Sequence, residues 1–411
     1  MNVLIIGNGG REHAIGWKIK KDNPDAKLYF STGNGGTAKI GKNINFGTIE
    51  ELADFSEKKQ MDLTIVGSEA LLVDGIVNVF QEKGLRILGP DKKSAQLEGS
   101  KEFAKKFMSK YGVKTAKYKT FNNYTDANNY AQNQKYPLVI KADGLAAGKG
   151  VFICKDEFEA EKALDEILNK QIFGSAGNHV VIEEYLVGFE ASILSIYNGN
   201  EIIPFISAKD HKKIGNGELG LNTGGMGVVS PNPFFKDKHW EAFNKDILQP
   251  TLEGLKAENM NFSGIIFFGL MITQDGVYLL EYNMRMGDPE TQAILPLLEN
   301  NILDVFNDAI DNKPIYLNWQ NKHSVCVVLA SGGYPLNYDS GFEIKGLQKA
   351  TCLYFIAGAF LNNNILYTSG GRVLNVVGIG NSLEEARKIA YQNIEKIHFD
   401  YNYYRTDIGE I

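Results

Sequence analysis

Two apolar runs, residues 264–272 (GIIFFGLMI) and 277–284 (VYLLEYNM), flank the four residues Thr273, Gln274, Asp275 and Gly276. Strands joined by a short turn ending in Asp-Gly read as a β-hairpin. In and just past the second run Glu281, Asn283 and Arg285 stand two apart, so all three project from one face. Leu280, Tyr282 and Met284 are expected on the other face. A carboxylate, an amide and a guanidinium side by side on such a strand are costly to leave unpaired. Their chemistry suits a hard cation and a phosphate: Glu and Asn oxygens ligate Mg²⁺, and Arg forks onto phosphate oxygens. Read alone, the strand is equally compatible with a sheet edge whose polar face is solvated.

A chain of 411 residues exceeds one ordinary core, so several domains are expected. The formal net charge of −6 argues against nucleic acid as a partner. No apolar run is long enough to span a bilayer, and the opening MNVLIIGNGG has no basic leader, so a cytoplasmic setting is expected. Cys154, Cys326 and Cys352 lie far apart and read as buried thiols in a reducing compartment. No HxH or HxxxH pair occurs, which argues against zinc.

Residues 1–100 alternate strand and helix. Strands are expected at 3–6, 28–30, 63–66 and 85–88, with helices from about Arg11, over 49–58 and over 71–83. That pattern predicts a small doubly wound parallel sheet, with ligands at the carboxyl ends of its strands. The first turn, Gly7-Asn8-Gly9-Gly10, is not a dinucleotide fingerprint: Glu12 stands where the last glycine is required. The loop either holds a phosphate at a helix N-terminus or makes a tight turn. A helix is expected over 94–111, carrying Lys101 near its start.

An inserted α+β lobe is expected over about 120–190, with strands at 138–141, 151–154 and 180–185. A hairpin of 191–197 and 201–206 follows. Gly144–Gly150 (GLAAGKG) joins two strands. It has three residues before Gly148-Lys149 where a P-loop has four, and Gly150 where a P-loop has Ser or Thr. A glycine-rich flap flanked by Lys141 and Lys149 can still cover a polyphosphate. Residues 209–227 read as a long glycine-rich loop, in which Asp210, His211 and Asn222 suit ligand contact. Residues 312–323 read as a linker, and 324–411 as a smaller α+β unit. The asparagine runs, including Asn362–Asn364, read as compositional.

These segments occur in one characteristic order: GNGGREH, IKADGLAAGKGV, EEYL, DHK followed by NTGGMG, and LEYNMRMGDPETQ. The chain thereby resembles the glycinamide ribonucleotide synthetase family of the ATP-grasp superfamily, from residue 1 to the terminal domain. The resemblance implies an α/β fold in three parts: an N-terminal domain (1–100), a two-lobed ATP-grasp domain (101–311) and a small C-terminal α+β domain (324–411). It implies ATP-dependent joining of glycine to 5-phosphoribosylamine through glycyl phosphate, in a monomer or weak dimer. Another ATP-grasp carboxylate–amine ligase is the alternative. A nicotinamide oxidoreductase and a nucleotide-binding regulator without catalysis are the more distant ones.

By the same resemblance, Lys101 and Lys141 reach the ATP phosphates, and Gly144, Gly148, Lys149 and Gly150 belong to the flap. Glu183, Glu184, Tyr185 and Leu186 form the hinge strand beside adenine. Glu190 binds the ribose hydroxyls. Lys213 and Asn222 stand near the nucleotide, although the family has Arg at the position of Lys213. Glu281 and Asn283 hold Mg²⁺ or Mn²⁺. Arg285, with Lys141 and Asp210, is implied to be catalytic. Asn8, Gly9, Gly10 and Glu69 face the phosphoribosylamine. Asp210, His211, Gly224, Gly225 and Arg285 face the substrates. The flap and the 209–227 loop together form the candidate lid.

Overall fold

The computed structural model describes residues 1–146 and 150–410. Its N-terminal sheet has five parallel strands. In spatial order they are Lys42–Ile44, Lys27–Thr32, Asn2–Gly7, Leu63–Val66 and Ile87–Leu88. Val3, Leu4, Ile5 and Ile6 are all essentially inaccessible, as a central parallel strand covered on both faces requires. The edge strand Lys42–Ile44 carries no apolar run and was not expected. The expected helix over 71–83 is two helices, Glu69–Asp74 and Ile76–Glu82, divided at Gly75 with φ +99°. The expected helix over 94–111 is likewise divided. Ser100 ends the short Gln96–Gly99 helix and caps Lys101–Tyr111, its Oγ accepting from the Phe103 N–H at 3.1 Å.

Two antiparallel four-stranded sheets follow. The smaller has the order Tyr118–Phe121, Val180–Glu184, Leu138–Ala142, Val151–Cys154. The larger has the order Ile202–Pro204, Phe189–Tyr197, Gly264–Thr273, Gly276–Asn283. The hairpin after residue 188 therefore pairs with the larger sheet. In the Gly264–Asn283 hairpin, Gly269 pairs with Glu281 but Leu270 pairs with Leu279, leaving Leu280 as an extra residue. A bulge of this kind shifts the side-chain alternation by one. Val277 and Leu279 face the core before it, and Tyr282 and Met284 after it. Leu280 is thus displaced from the face expected for it and lines the cleft beside Glu281.

Residues 209–227 are not a loop. Lys209–Asp210 and Gly227–Ser230 add two strands to the C-terminal sheet, which continues through His323–Ser331, Arg372–Gly380 and Leu353–Ile356. Between them Lys213–Gly215 and Leu219–Asn222 form a separate two-stranded hairpin. The Asn362–Asn364 run also has a structural use. Asn363 and Asn364 adopt φ of 47° and 64° and turn the hairpin Ala359–Asn362/Ile365–Thr368, a left-handed geometry that asparagine tolerates.

The first helix, Gly10–Asp22, also packs against the C-terminal sheet. Trp17 meets Phe355 edge-on at 5.6 Å, and His13 Nδ1 accepts from the Ile356 N–H at 2.8 Å. Burial first, then Lys39, lowers the His13 pKa to about 4. At pH between about 4 and the ordinary value of 6.5 the unfolded chain binds a proton that the folded chain refuses. Stability therefore stays level above that window and falls on acidification through it, by on the order of 3 kcal/mol from this group. Urea midpoints measured from pH 7 to 4 should show this slope, and His13→Gln should flatten it.

Candidate active site

A cleft of about 1380 Å³ opens where the N-terminal domain, the two four-stranded antiparallel sheets and the C-terminal sheet converge. On one wall Lys101 is the first residue of its helix. The Asp143 carboxylate holds that helix start, accepting from the Glu102 N–H at 2.6 Å and from Ser100 Oγ at 3.1 Å. Lys101 Nζ rests on the carbonyls of Gly144 (3.1 Å) and Asp143 (3.4 Å). Burial lowers its pKa, against the opposing pull of Glu281.

Lys141 Nζ lies 2.8 Å from one Glu183 oxygen and Lys105 Nζ 3.1 Å from the other, all three side chains being nearly inaccessible. Burial pushes the Glu183 carboxyl up, but Lys141 and Lys105 outweigh it and hold it below its ordinary range. Burial also brings Lys105 down to about 8. The Glu183 carboxylate is therefore spent on two lysines, and the Glu184 carboxylate accepts from the Lys117 N–H at 2.8 Å. Tyr185 and Leu186 line the cleft together with Val139, Ile153, Met271 and Leu280, which makes a slot with apolar walls. Lys105 was missed in the sequence. Its position one turn after Lys101 placed it on the same helix face, and that spacing was the available signal.

On the facing wall, Glu281, Asn283 and Arg285 all line the cleft, as their spacing required. Burial would neutralise Glu281, yet Lys212, Lys141 and Lys101 together keep its pKa below the usual value. Arg285 is held by Glu98 at 3.0 Å and Glu69 at 3.6 Å, and its Nη2 donates to Asn283 Oδ1 at 3.2 Å. Glu98 is fixed in turn by the Met284 N–H at 2.6 Å. Among the described residues, no group of three or more His, Cys, Asp or Glu gathers to hold a metal. A cation at Glu281 and Asn283 would thus need oxygens from a substrate, the usual arrangement for Mg²⁺ on a polyphosphate.

Glu190 is paired with Lys212 at 3.1 Å, and Glu190 first of all raises the Lys212 pKa. Asp210 and Glu290 are both buried on the cleft wall; Glu290 was not anticipated. Among the described residues Asp210 Oδ1 has no hydrogen-bond partner, while Glu290 Oε1 accepts from Ser192 Oγ at 3.2 Å. Burial raises both carboxyl pKa values, and Glu290 adds to the rise of Asp210. Lys213 and Asn222 face each other across their hairpin, and both line the cleft.

Four expected contacts stand elsewhere. His211 is buried behind the wall, with Nδ1 3.3 Å from the Gly227 carbonyl; burial above all lowers its pKa to about 4. Gly225, at φ +112°, gives room to a neighbour: a Cβ there would lie 2.6 Å from Asp210 Oδ1. Gly144 packs on Ala176. Gly10 packs against the C-terminal domain, where a Cβ would lie 2.4 Å from Asn375 Nδ2. Gly150 lines the cleft, and Gly148 and Lys149 lie outside the described residues.

Asn8, Gly9 and Glu69 line the cleft at the strand ends of the N-terminal sheet. The helix start beside them is already occupied: the Gly9 N–H donates to Glu12 Oε2 at 2.6 Å and the Arg11 N–H to Asp288 Oδ2 at 3.1 Å. Glu12, which spoils the dinucleotide fingerprint, is here a buried capping carboxylate. Those two donors are not free for a phosphate. Arg372 brings the C-terminal domain to the same place, donating to the Gly224 carbonyl at 2.6 Å and the Asp288 carbonyl at 2.8 Å, with Asp288 Oδ1 at 3.3 Å.

Residues 1–98, 99–291 and 324–411 match, in turn, the N domain, the ATP-grasp (A) domain and the C domain of phosphoribosylglycinamide synthetase. The chain is 54% identical to phosphoribosylamine–glycine ligase of Fusobacterium nucleatum, covering all of this chain and 99% of that one. It is 53% identical to the Clostridium acetobutylicum ligase, with both chains fully covered. Among solved structures, phosphoribosylamine–glycine ligase of Thermotoga maritima matches with a TM-score of 0.87 at 34% identity, covering 99% of this chain and all of that one. A biotin carboxylase of Campylobacter jejuni shares the fold, with a TM-score of 0.74 at 14% identity over 98% of this chain and 92% of that one.

The lysine pair around Glu183 sets a test of the cleft wall. Glu183→Gln leaves two buried ammonium groups without their shared counter-charge and should cost about 3–5 kcal/mol of stability in urea unfolding.

Proposed function

The chain belongs to the phosphoribosylglycinamide synthetase family, and from that premise we propose how its cleft works as a phosphoribosylamine–glycine ligase. It is an ATP-dependent ligase of purine biosynthesis, joining glycine to 5-phospho-D-ribosylamine to give glycinamide ribonucleotide, ADP and phosphate. Adenine enters the apolar slot beside Tyr185 and Leu186. Glu190, Lys213 and Asn222 face the nucleoside, and Lys101 and Lys141 face the phosphates. Glu281 and Asn283 fit a divalent cation, Mg²⁺ or Mn²⁺, which when bound with the phosphate oxygens supplies charge neutralisation.

The chemistry needs no nucleophilic side chain. A glycine carboxylate oxygen attacks the γ-phosphorus of ATP, ADP leaves, and glycyl phosphate forms. The ribosylamine nitrogen then attacks the acyl carbon, the C–O bond to phosphate breaks, and the nitrogen loses a proton. Lys101, Lys141 and Arg285 stabilise charge on the phosphoryl oxygens while they hold it in line. Asp210 and Glu290, whose carboxyls burial pushes towards the neutral form, offer glycine's ammonium hydrogen-bond acceptors that its charge would help to ionise, within the field of Arg285, which faces the carboxylate end. Asn8, Gly9, Glu69 and Arg372 face the ribosylamine. The 144–150 segment excludes water from the acyl phosphate. We place this reaction in the cytoplasm, in a monomer or weak dimer acting on small molecules; no described helix is long and apolar enough to cross a membrane.

The observation that carries this reading is the shared cleft, lined by Lys101 and Lys141 together with Glu281, Asn283 and Arg285. With Mg-ATP, ADP release should require both glycine and 5-phosphoribosylamine; release without either would contradict it. Glu281→Gln should lower turnover at least about 10²-fold with unfolding unchanged. Full activity in that variant would remove the cation assignment. Glu290→Gln should raise the KM for glycine about tenfold or more and leave that for ATP alone.

A further inference from the structure

Among the described residues Arg405 has the largest fully buried side chain, yet it lies six residues from the end of the sequence and does not itself line the cleft. All three nitrogens of its guanidinium are engaged. Nε and Nη2 fork onto Asp407 at 2.8 and 2.7 Å, Nη2 also meets Glu218 Oε1 at 2.9 Å, and Nη1 donates to the Lys213 carbonyl at 3.0 Å. Glu218 and Lys213 belong to the hairpin at 213–222.

That hairpin needs such a hold. It is a two-stranded sheet with no third strand, and all four residues of Leu219–Asn222 are exposed. An isolated two-stranded hairpin is marginal in water. Its turn runs through Gly217 and Glu218 at φ 67° and 58°, the second being a left-handed conformation that a glutamate disfavours. Among the described residues, the hydrogen bonds that anchor this turn come from 405–407. The Gly217 N–H donates to Asp407 Oδ2 at 2.8 Å, and Asn216 exchanges hydrogen bonds with Thr406 at 2.6 and 3.1 Å. Tyr403 OH donates to the Ile214 carbonyl at 2.7 Å.

We propose that Arg405 is a positioning residue for nucleotide binding: it latches the 213–222 hairpin to the C-terminal tail and so presents Lys213 and Asn222 to the nucleotide. The inference rests on the reading of those two residues as nucleotide-facing. It also revises the lid. The hairpin half of the candidate lid is fastened to the C-terminal domain.

The test compares KM for ATP with KM for glycine in the full-length enzyme. Arg405→Ala should raise the KM for ATP about tenfold, with kcat and the KM for glycine within about twofold, and Arg405→Lys should restore part of the loss. Glu218→Ala, at a half-exposed side chain that threatens no core, should move the KM for ATP in the same direction. Amide exchange across 213–222 should accelerate in each. A purely structural Arg405 would lower the thermal midpoint and the active fraction and leave the KM for ATP unchanged; that result, together with an unchanged KM in Glu218→Ala, overturns the latch. Lys213→Ala separates the two levels. If it leaves the KM for ATP unchanged, the nucleotide-facing reading fails and the latch with it. If it raises that KM while the Arg405 and Glu218 variants do not, the latch alone fails.

Discussion

A carboxylate withdrawn from water stays ionised only when the surrounding positive charge outweighs the loss of hydration, and at the half-buried Glu281 the charges of Lys212, Lys141 and Lys101 hold the carboxyl below its usual range. Each of these lysines is itself fixed by another partner: Lys212 by Glu190, Lys141 by Glu183, and Lys101 by the Asp143 and Gly144 carbonyls. The result is a cleft in which charges of both signs are held apart by geometry. We propose that a polyphosphate meets the lysines of this cleft while its cation meets Glu281.

The same logic joins the three domains. Asp288, three residues beyond Arg285, accepts from the Arg11 N–H of the N-terminal domain at 3.1 Å and faces Arg372 of the C-terminal domain at 3.3 Å. Arg11 reaches back to the Met286 carbonyl at 3.0 Å. The C-terminal sheet, completed by strands from residues 209–230, is thereby part of the cleft. Arg372 stands on its wall, and the tail residues 403–407 hold the hairpin that carries Lys213.

Much of this was legible locally. The parallel sheet follows from short apolar strands such as 63–66, and the helix Ile49–Lys58 from its apolar face and its Thr48 cap. The two-residue spacing of Glu281, Asn283 and Arg285 put them on one wall, because a strand's period is local. What escaped depends on pairing between distant segments. The bulge that moves Leu280 arises from the register with Gly269, and the edge strand Lys42–Ile44 exists only because its neighbour offers free hydrogen bonds. Residues 209–227 looked like a loop because a two-residue strand such as Lys209–Asp210 is too short to show a period. Glycines misled for a related reason. Gly10 and Gly225 mark close packing to Asn375 and Asp210, which from sequence alone is indistinguishable from close approach to a ligand. Arg372 and Arg405 carried no motif; their importance lies in partners more than eighty residues away.

The central claim is that nucleotide phosphates and a divalent ion settle between the lysine wall and the Glu281 strand. A crystal structure with Mn²⁺ and ADP, using the anomalous signal of the metal, tests it most directly. The account predicts the metal peak at Glu281 and Asn283, with the phosphates between Lys101 and Lys141. A metal bound away from Glu281, or a nucleotide outside the cleft, would contradict it.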